Sequence, residues 1–372
     1  MPFSTRISLY EQIEQARQRP LICYVTSIRP DASGSIAPDV LPQLIKQLDA
    51  IDPTSREVDF MVVSYGGDGI VAARIVSMLR ERFNHVSVLV PYVAYSAATL
   101  IALGADEIIM HPYGNLGPVD PQLTYERLTQ GGQIELISYG TEDLRNYLDF
   151  VRAEVGISDQ EQLARAFELV CREIGSIPIG IARRSGQLSL SLGERLLGLH
   201  MKDGNKARAI TETLSRSYHH HGYPLGLSEA ADIGLPVVKA EGQVEELIWQ
   251  VWQDIEEEME CNTPFDPIEI VFRNQEAAQR LRQVVELQNI PANIPPDMLQ
   301  QLYNFVLQHI QLTPVNPVEY SNLLVTMESA RCMSEFKVRG IINAARLPDM
   351  RIALNITRTY QGWTFNRRDR NA

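Results

Sequence analysis

The sequence contains no run of about 18 apolar residues, the least a membrane-crossing helix needs, so stable membrane insertion is not expected. Its opening, MPFSTRISLYEQIEQARQRP, lacks an apolar stretch of signal-peptide length, and no secretory leader is expected there. Cysteine is scarce. The four residues Cys23, Cys171, Cys261 and Cys332 have no pair at zinc or redox spacing. That excludes a disulfide scaffold and fits reduced, mostly buried thiols in a cytoplasmic protein. Positive charge is also short. Lys and Arg number 34 against 46 Asp and Glu, for a net charge of −12. Broad binding to nucleic acid or to an anionic membrane is therefore not expected. The adjacent histidines His219, His220 and His221 have no cysteine or acidic partner at ligand spacing, so no metal and no other cofactor is expected. No internal repeat is visible.

What is present reads as an ordinary globular chain, with 45% apolar and 22% charged residues. Its 372 residues suffice for one large domain plus a smaller one, or for two domains. The runs LICYVTSI (21–28), VDFMVVS (58–64) and VSVLVPYV (86–93) are nearly unbroken apolar stretches, the mark of strands buried on both faces, and EIIMHP gives a fourth strand. Helical stripes alternate with them: Leu41, Leu44, Ile45, Leu48 and Ile51, then Ile70, Ala73, Val76, Met78 and Leu79. The alternation predicts parallel β-α-β units with right-handed crossovers. From residue 141 the pattern turns helical, over 141–155, 158–174, 178–200 and 204–217. The helix at 244–260 has an apolar stripe through Leu247, Ile248, Val251, Trp252 and Ile255, expected to pack on the domain's own core. Composition shifts at CNTPFDP (261–267), which divides the chain into 1–260 and 261–372. The second part carries two helical stretches around 275–310, a Pro-rich joint and a basic end. From Arg331 onward nine Lys or Arg stand against three acids, read as solvated surface or intersubunit contact.

Two short stretches can make chemistry together. In SYGGDG (64–69) a strand runs into glycines before a helix, so backbone N–H groups can point outward beside the positive end of the helix dipole. AYSAAT (94–99) repeats the strand-to-helix turn around Ser96. Sites in open parallel sheets collect at the carboxyl ends of strands, and these turns belong to consecutive units. A hydroxyl beside free N–H groups is the geometry of acyl transfer. Taken alone, each stretch also has a plain structural reading: a tight turn for the glycines, a helix N-cap for Ser96.

MVVSYGGDG followed by AYSAATLIALGADEIIMHPYGNLGPVDPQ resembles the Clp protease/crotonase superfamily, and within it the serine dehydrogenase proteinase family, relatives of signal peptide peptidase A. The resemblance covers about residues 20–240. It implies an α/β fold, with a Clp protease/crotonase-like ββα spiral core, a helical extension and a smaller C-terminal α+β domain. It implies a peptidase domain over 1–260 and an accessory or oligomerisation domain over 261–372. By the same resemblance Ser96 is the nucleophile and Gly66, Gly67 and Ala97 supply the oxyanion N–H groups. The substrate is a peptide or unfolded protein, and the assembly a homo-oligomer.

The base is the open position. No lysine lies between Lys46 and Lys202, so the dyad of signal peptide peptidases is absent at its usual spacing. Pro121 stands where a Clp protease carries its histidine. Of the remaining residues, His221 in YHHHGYPLGLSEAADIGLPV fits the family's His-x-Tyr-Pro segment best, with Lys202 as the fallback. Asp120, Asp232 and Asp203, in falling order, are the carboxylates that would orient it. Two other functions compete: a catalytically inactive scaffold whose C-terminal segment binds a partner, and a crotonase-like acyl-CoA enzyme using the same turns with a carboxylate base.

Overall fold

The computed structural model describes residues 3–128, 132–218, 220–282, 313–347 and 351–368, with isolated positions between 295 and 304. The elements run α1 (Phe3–Arg17), β1 (Leu21–Thr26), α2 (Leu41–Ala50), β2 (Glu57–Val63), α3 (Gly69–Arg82), β3 (His85–Val90), β4 (Val93–Ala94), α4 (Ala97–Leu103), β5 (Glu107–Met110) and β6 (Asn115–Leu116). They continue with β7 (Gln122–Leu128), β8 (Ile134–Gly140), α5 (Thr141–Ala153), α6 (Gln160–Ile174), α7 (Ser176–Leu197), α8 (Gly204–Arg216), α9 (Leu227–Asp232), β9 (Val237–Lys239) and α10 (Gly242–Glu258). After α11 (Pro267–Arg273) and α12 (Gln275–Arg282) come β10 (Thr313–Pro314), β11 (Val318–Glu328), β12 (Cys332–Arg346) and β13 (Ile352–Arg367).

The fold is mixed α/β. The main sheet has the order β10-β12-β11-β1-β2-β3-β5-β9, with β13 on the free side of β12. From β1 to β9 every pairing is parallel, as the alternating sequence pattern predicts. The C-terminal strands add to the same sheet: β11 lies antiparallel against β1, and β12 and β13 extend it. Residues 283–294, 296, 297, 300, 302, 303 and 305–310 of the expected helical stretch at 275–310 lie outside the described residues.

Period-two alternation explains why the first strands read as continuous apolar runs. In β1, Ile22 and Tyr24 face one core, which holds α2, α3, α4, α7 and α8. Leu21, Cys23 and Val25 face the other, made with α1 and α10. The α10 stripe packs there as expected, with Trp252 wholly buried and stacked on Tyr92 at 5.4 Å. Truncating such an indole to alanine typically costs about 3–5 kcal/mol. Two expected stripe residues depart from the pattern: Ile45 is 49% exposed and Ile70 60% exposed. Ile70 instead reaches the rim of a cavity beside Ser96.

A polar knot closes the α1–α10 layer. Arg6 donates to Glu328 at 3.1 and 2.8 Å and to Asp254 at 2.7 Å, while the Tyr10 hydroxyl donates to Glu328 at 2.7 Å. It ties together α1, α10 and β11, three elements far apart in sequence. All four cysteines are free thiols, three of them buried.

Candidate active site

β2 ends at Val63 and the chain turns through Ser64, Tyr65, Gly66 and Gly67 into α3. Gly66 and Gly67 have φ of 110° and 145°, so this turn demands glycine. It also demands closeness: a Cβ on Gly66 would lie 2.8 Å from the Ser96 Cβ. Asp68 caps α3, accepting from the N–H groups of Ile70 at 2.7 Å and Val71 at 3.4 Å. The backbone bonds of the turn engage Gly66 O with Ile36 N–H and Asp68 N–H with Ile36 O. Gly66 N–H donates to Ser64 Oγ at 2.9 Å. The expected donor role therefore does not suit Gly66, whose amide is already bound; its lack of a side chain is what admits Ser96. Gly67 N–H has no partner in the turn's bonding.

The neighbouring turn holds Ser96 at the N-terminus of α4 with φ 52° and ψ −116°. A non-glycine residue there stores about 1–3 kcal/mol of backbone strain. Ser96 occupies the N-cap position, yet its side chain makes no capping bond, so the plain reading of the serine fails. Its Oγ has no hydrogen bond to any described residue. Ala97 N–H also lies outside the helix ladder, whose nearby bonds run from Ala98 N–H to Tyr95 O and from Leu100 N–H to Ser96 O. Among the described residues, strain, an unused hydroxyl and two unused amides lie along one cavity.

The segment after α4 is fixed from several sides. Thr99 Oγ1 donates to Ala94 O at 2.7 Å or Gly117 O at 2.9 Å, and accepts from Gly117 N–H at 3.1 Å. Val119 N–H donates to Leu214 O at 3.0 Å, and Ser189 Oγ donates to Val119 O. Reciprocal backbone bonds of 2.9 and 2.8 Å join Leu116 to Leu225. They bring the histidine segment against this loop, and His221 Nδ1 lies 2.7 Å from Asp120 Oδ1. An ionised carboxylate only accepts, so Nδ1 carries the proton and Nε2 is left as the basic nitrogen. Asp120 Oδ2 takes a further bond from Gln122 at 2.8 Å.

A cavity of about 180 Å³ opens at Ser96, walled by Gly67, Ile70 and Ala97 on one side and by Ser185, Leu188 and Ser189 of α7 on the other. Val119 and Pro121, which flank Asp120, also line it, whereas His221 and Lys202 do not. Among the described residues no hydrogen bond joins Ser96 to His221. Lys202 is exposed in the turn between α7 and α8. Asp203 is used as the α8 cap, accepting from Asn205 and Lys206 N–H groups at 3.0 and 3.2 Å. Asp232 closes α9. His220 accepts from Gly222 N–H at 2.9 Å and shapes its own turn, and His219 lies outside the described residues. Asp106 is held by Arg80 at 2.7 Å and Val86 N–H at 2.8 Å. Burial opposes its charge, but those partners outweigh burial and keep its carboxyl below the usual range. The contributions of Thr99 and of the α7 serines escaped the sequence reading; a threonine inside a helix of alanine and leucine was the only available sign of the first.

Residues 43–129 match the family model described as ClpP-like SDH-type serine proteinase. The resemblance to the serine dehydrogenase proteinase family holds over that stretch, which contains Gly66, Gly67, Ser96, Ala97 and Asp120. At the level of class, this is a ClpP-like serine peptidase match. Two uncharacterized proteins of Methanocaldococcus jannaschii are similar in sequence, at 37% identity over 187 residues and 27% over 185, each alignment covering 50% of this chain and 54% of the relative. The chain thus spans about half the length of these relatives. Two solved structures align more loosely. A serine-to-alanine mutant of the 1510-N membrane-bound stomatin-specific protease shares 18% identity over 62% of this chain and 83% of its own, with a TM-score of 0.36. ClpP1 from Listeria monocytogenes shares 14% over 63% and 97%, with a TM-score of 0.31. Superpositions this loose transfer no residue role. No helix among the described residues is long and apolar enough to cross a membrane.

Proposed function

We propose that the chain is a serine endopeptidase that cleaves peptides or unfolded segments through an acyl-enzyme on Ser96. The observation that carries this reading is the strained Ser96, whose hydroxyl caps nothing and stands beside the unused amides of Gly67 and Ala97. In the proposed reaction Ser96 Oγ attacks the scissile carbonyl and passes its proton to His221 Nε2. The oxyanion is received by the N–H groups of Gly67 and Ala97. The C–N bond then breaks, the amine leaves with the proton from His221, and water hydrolyses the ester. Asp120 holds the imidazole tautomer and stabilises its charged form. The reading requires His221, with Asp120, to approach Ser96 when a substrate or a second subunit binds. Free cysteines support a reducing, cytoplasmic setting. Residues 261–372 contribute β11–β13, whose exposed outer strand β13 we assign to self-association, so that the working form is a homo-oligomer.

Hydrolysis of a quenched-fluorescence peptide library by the wild type and by Ser96→Ala tests the reading. Turnover lost in the variant supports it; turnover retained contradicts it. One observation favours a second reading, a scaffold without catalysis: among the described residues Ser96 has no hydrogen-bonded base. An inert wild type with intact folding would favour that alternative. The acyl-CoA reading has less support, because the one carboxylate on the cavity wall, Asp68, is engaged in capping α3.

A further inference from the structure

Another face of α7 lines a second cavity, of about 600 Å³, which meets the Ser96 cavity at Pro121. That volume suits a small ligand or a short stretch of chain. Its apolar wall is Leu144, Leu148, Phe167 and Ile179. Phe167 is 43% exposed, leaving its ring open to the cavity. Its charged groups are Arg145, Arg183 and Arg216 against Glu142 alone, a local positive surplus on a chain of net charge −12. The arginines are loosely engaged. Arg145 lies 3.7 Å from Glu142 and 3.8 Å from Asp149, and Arg216 lies 3.9 Å from both Glu142 and Glu212. Arg183 enters no ion pair with any described residue. Ser215, on the same wall, is 8% exposed and its Oγ has no hydrogen-bond partner among the described residues. A buried hydroxyl without a partner is an uncommon feature, and here it belongs to a cavity that already offers guanidinium forks.

We propose that this cavity holds the carboxylate end of an apolar peptide. The guanidinium groups of Arg145, Arg183 and Arg216 take the carboxylate. The last side chains lie on Leu144, Leu148 and Phe167. The chain runs back over Pro121 toward Ser96. The assignment rests on the peptidase reading and adds to it a substrate class: apolar segments presented by their free C-terminus. Arginine is suited to this because its planar fork binds a carboxylate through two parallel bonds.

The test is fluorescence anisotropy of full-length Ser96→Ala protein with the labelled hexapeptide Gly-Ser-Ala-Leu-Phe-Leu, as free acid and as C-terminal amide. The free acid is expected to bind at least about tenfold tighter. Arg183→Gln should shrink the difference, and the added Arg145→Gln and Arg216→Gln should erase it, with thermal melting unchanged. Equal binding of acid and amide overturns the proposal, as does an acid preference that survives all three substitutions. Decanoate that displaces the peptide at equal concentration also overturns it, since the site would then serve fatty acids. Binding is read without turnover, so failure here leaves the peptidase reading standing, and failure of wild-type hydrolysis leaves this site standing.

Discussion

Two polar clusters of this molecule have opposite characters. In the α1–α10 layer, Arg6 is 1% exposed and has charged partners on two other elements, with Glu328 gripped at 3.1 and 2.8 Å. At the carboxyl ends of β2 and β4, the Ser96 hydroxyl has no partner among the described residues and sits on a strained backbone, with the Gly67 and Ala97 amides likewise unused among them. The first cluster spends its hydrogen-bonding capacity on the fold. The second withholds it, and the strain there is supported by glycines and by the Thr99 pin. A group left unsatisfied at a strand end, on an otherwise well-bonded scaffold, is poised for something outside the chain.

The contrast can be broken from either side. The largest effect is expected for Ser96→Ala, with peptide turnover falling about 10⁴-fold or more and thermal stability nearly unchanged. Ser96→Gly should lose activity equally while gaining about 1–2 kcal/mol in denaturant unfolding, because glycine tolerates φ 52°. Replacing the buried cation, Arg6→Met, strands Glu328 and Asp254, and should cost about 3–5 kcal/mol of stability. The protein that stays folded should still react at Ser96, which a melting curve paired with an activity assay would reveal. Next come His221→Ala and Asp120→Asn, each expected to lower turnover about 10²- to 10⁴-fold with a melting temperature close to wild type. The smallest effect concerns pH. Burial is the main influence on His200, whose Nε2 lies 3.0 Å from Leu103 O, and it holds the ring below its ordinary value. The unfolded chain therefore takes up this proton first. The contribution of His200 is fully present above the unfolded value, near about 6.5, and is lost as pH falls through the lower folded value. His200→Gln should flatten that part of the stability-versus-pH curve.

The parallel core was legible because burial on both faces leaves the unbroken apolar runs of β1, β2 and β3. The Gly66-Gly67 turn and Ser96 were legible because close backbone approach needs small residues. The C-terminal strands were not. β13 reads IALNITRTYQGWTFNR and is exposed along most of its length, so it has little period-two signal. The β7–β8 hairpin, absent from the sequence reading, is similarly polar, with Arg127 paired to Glu135 across it at 2.8 Å. The meeting of His221 and Asp120, 101 residues apart, depends on the Leu116–Leu225 bridge and on the loop pinned by Thr99. Neither leaves a local sequence pattern; the resemblance supplied His221, the sequence offered Asp120 ahead of Asp232 and Asp203, and the folded chain brings Asp120 to it. The binding of the Gly66 amide by Ser64 Oγ was illegible for the same reason.

If Ser96 is the proposed nucleophile, held open for substrate, an active-serine reagent must reach it. Incubation of the full chain with a fluorophosphonate, followed by digestion and mass spectrometry, tests it most directly. A single covalent adduct mapped to Ser96 is expected, abolished in Ser96→Ala and slowed in His221→Ala. A folded wild-type protein that acquires no adduct at Ser96 would contradict it.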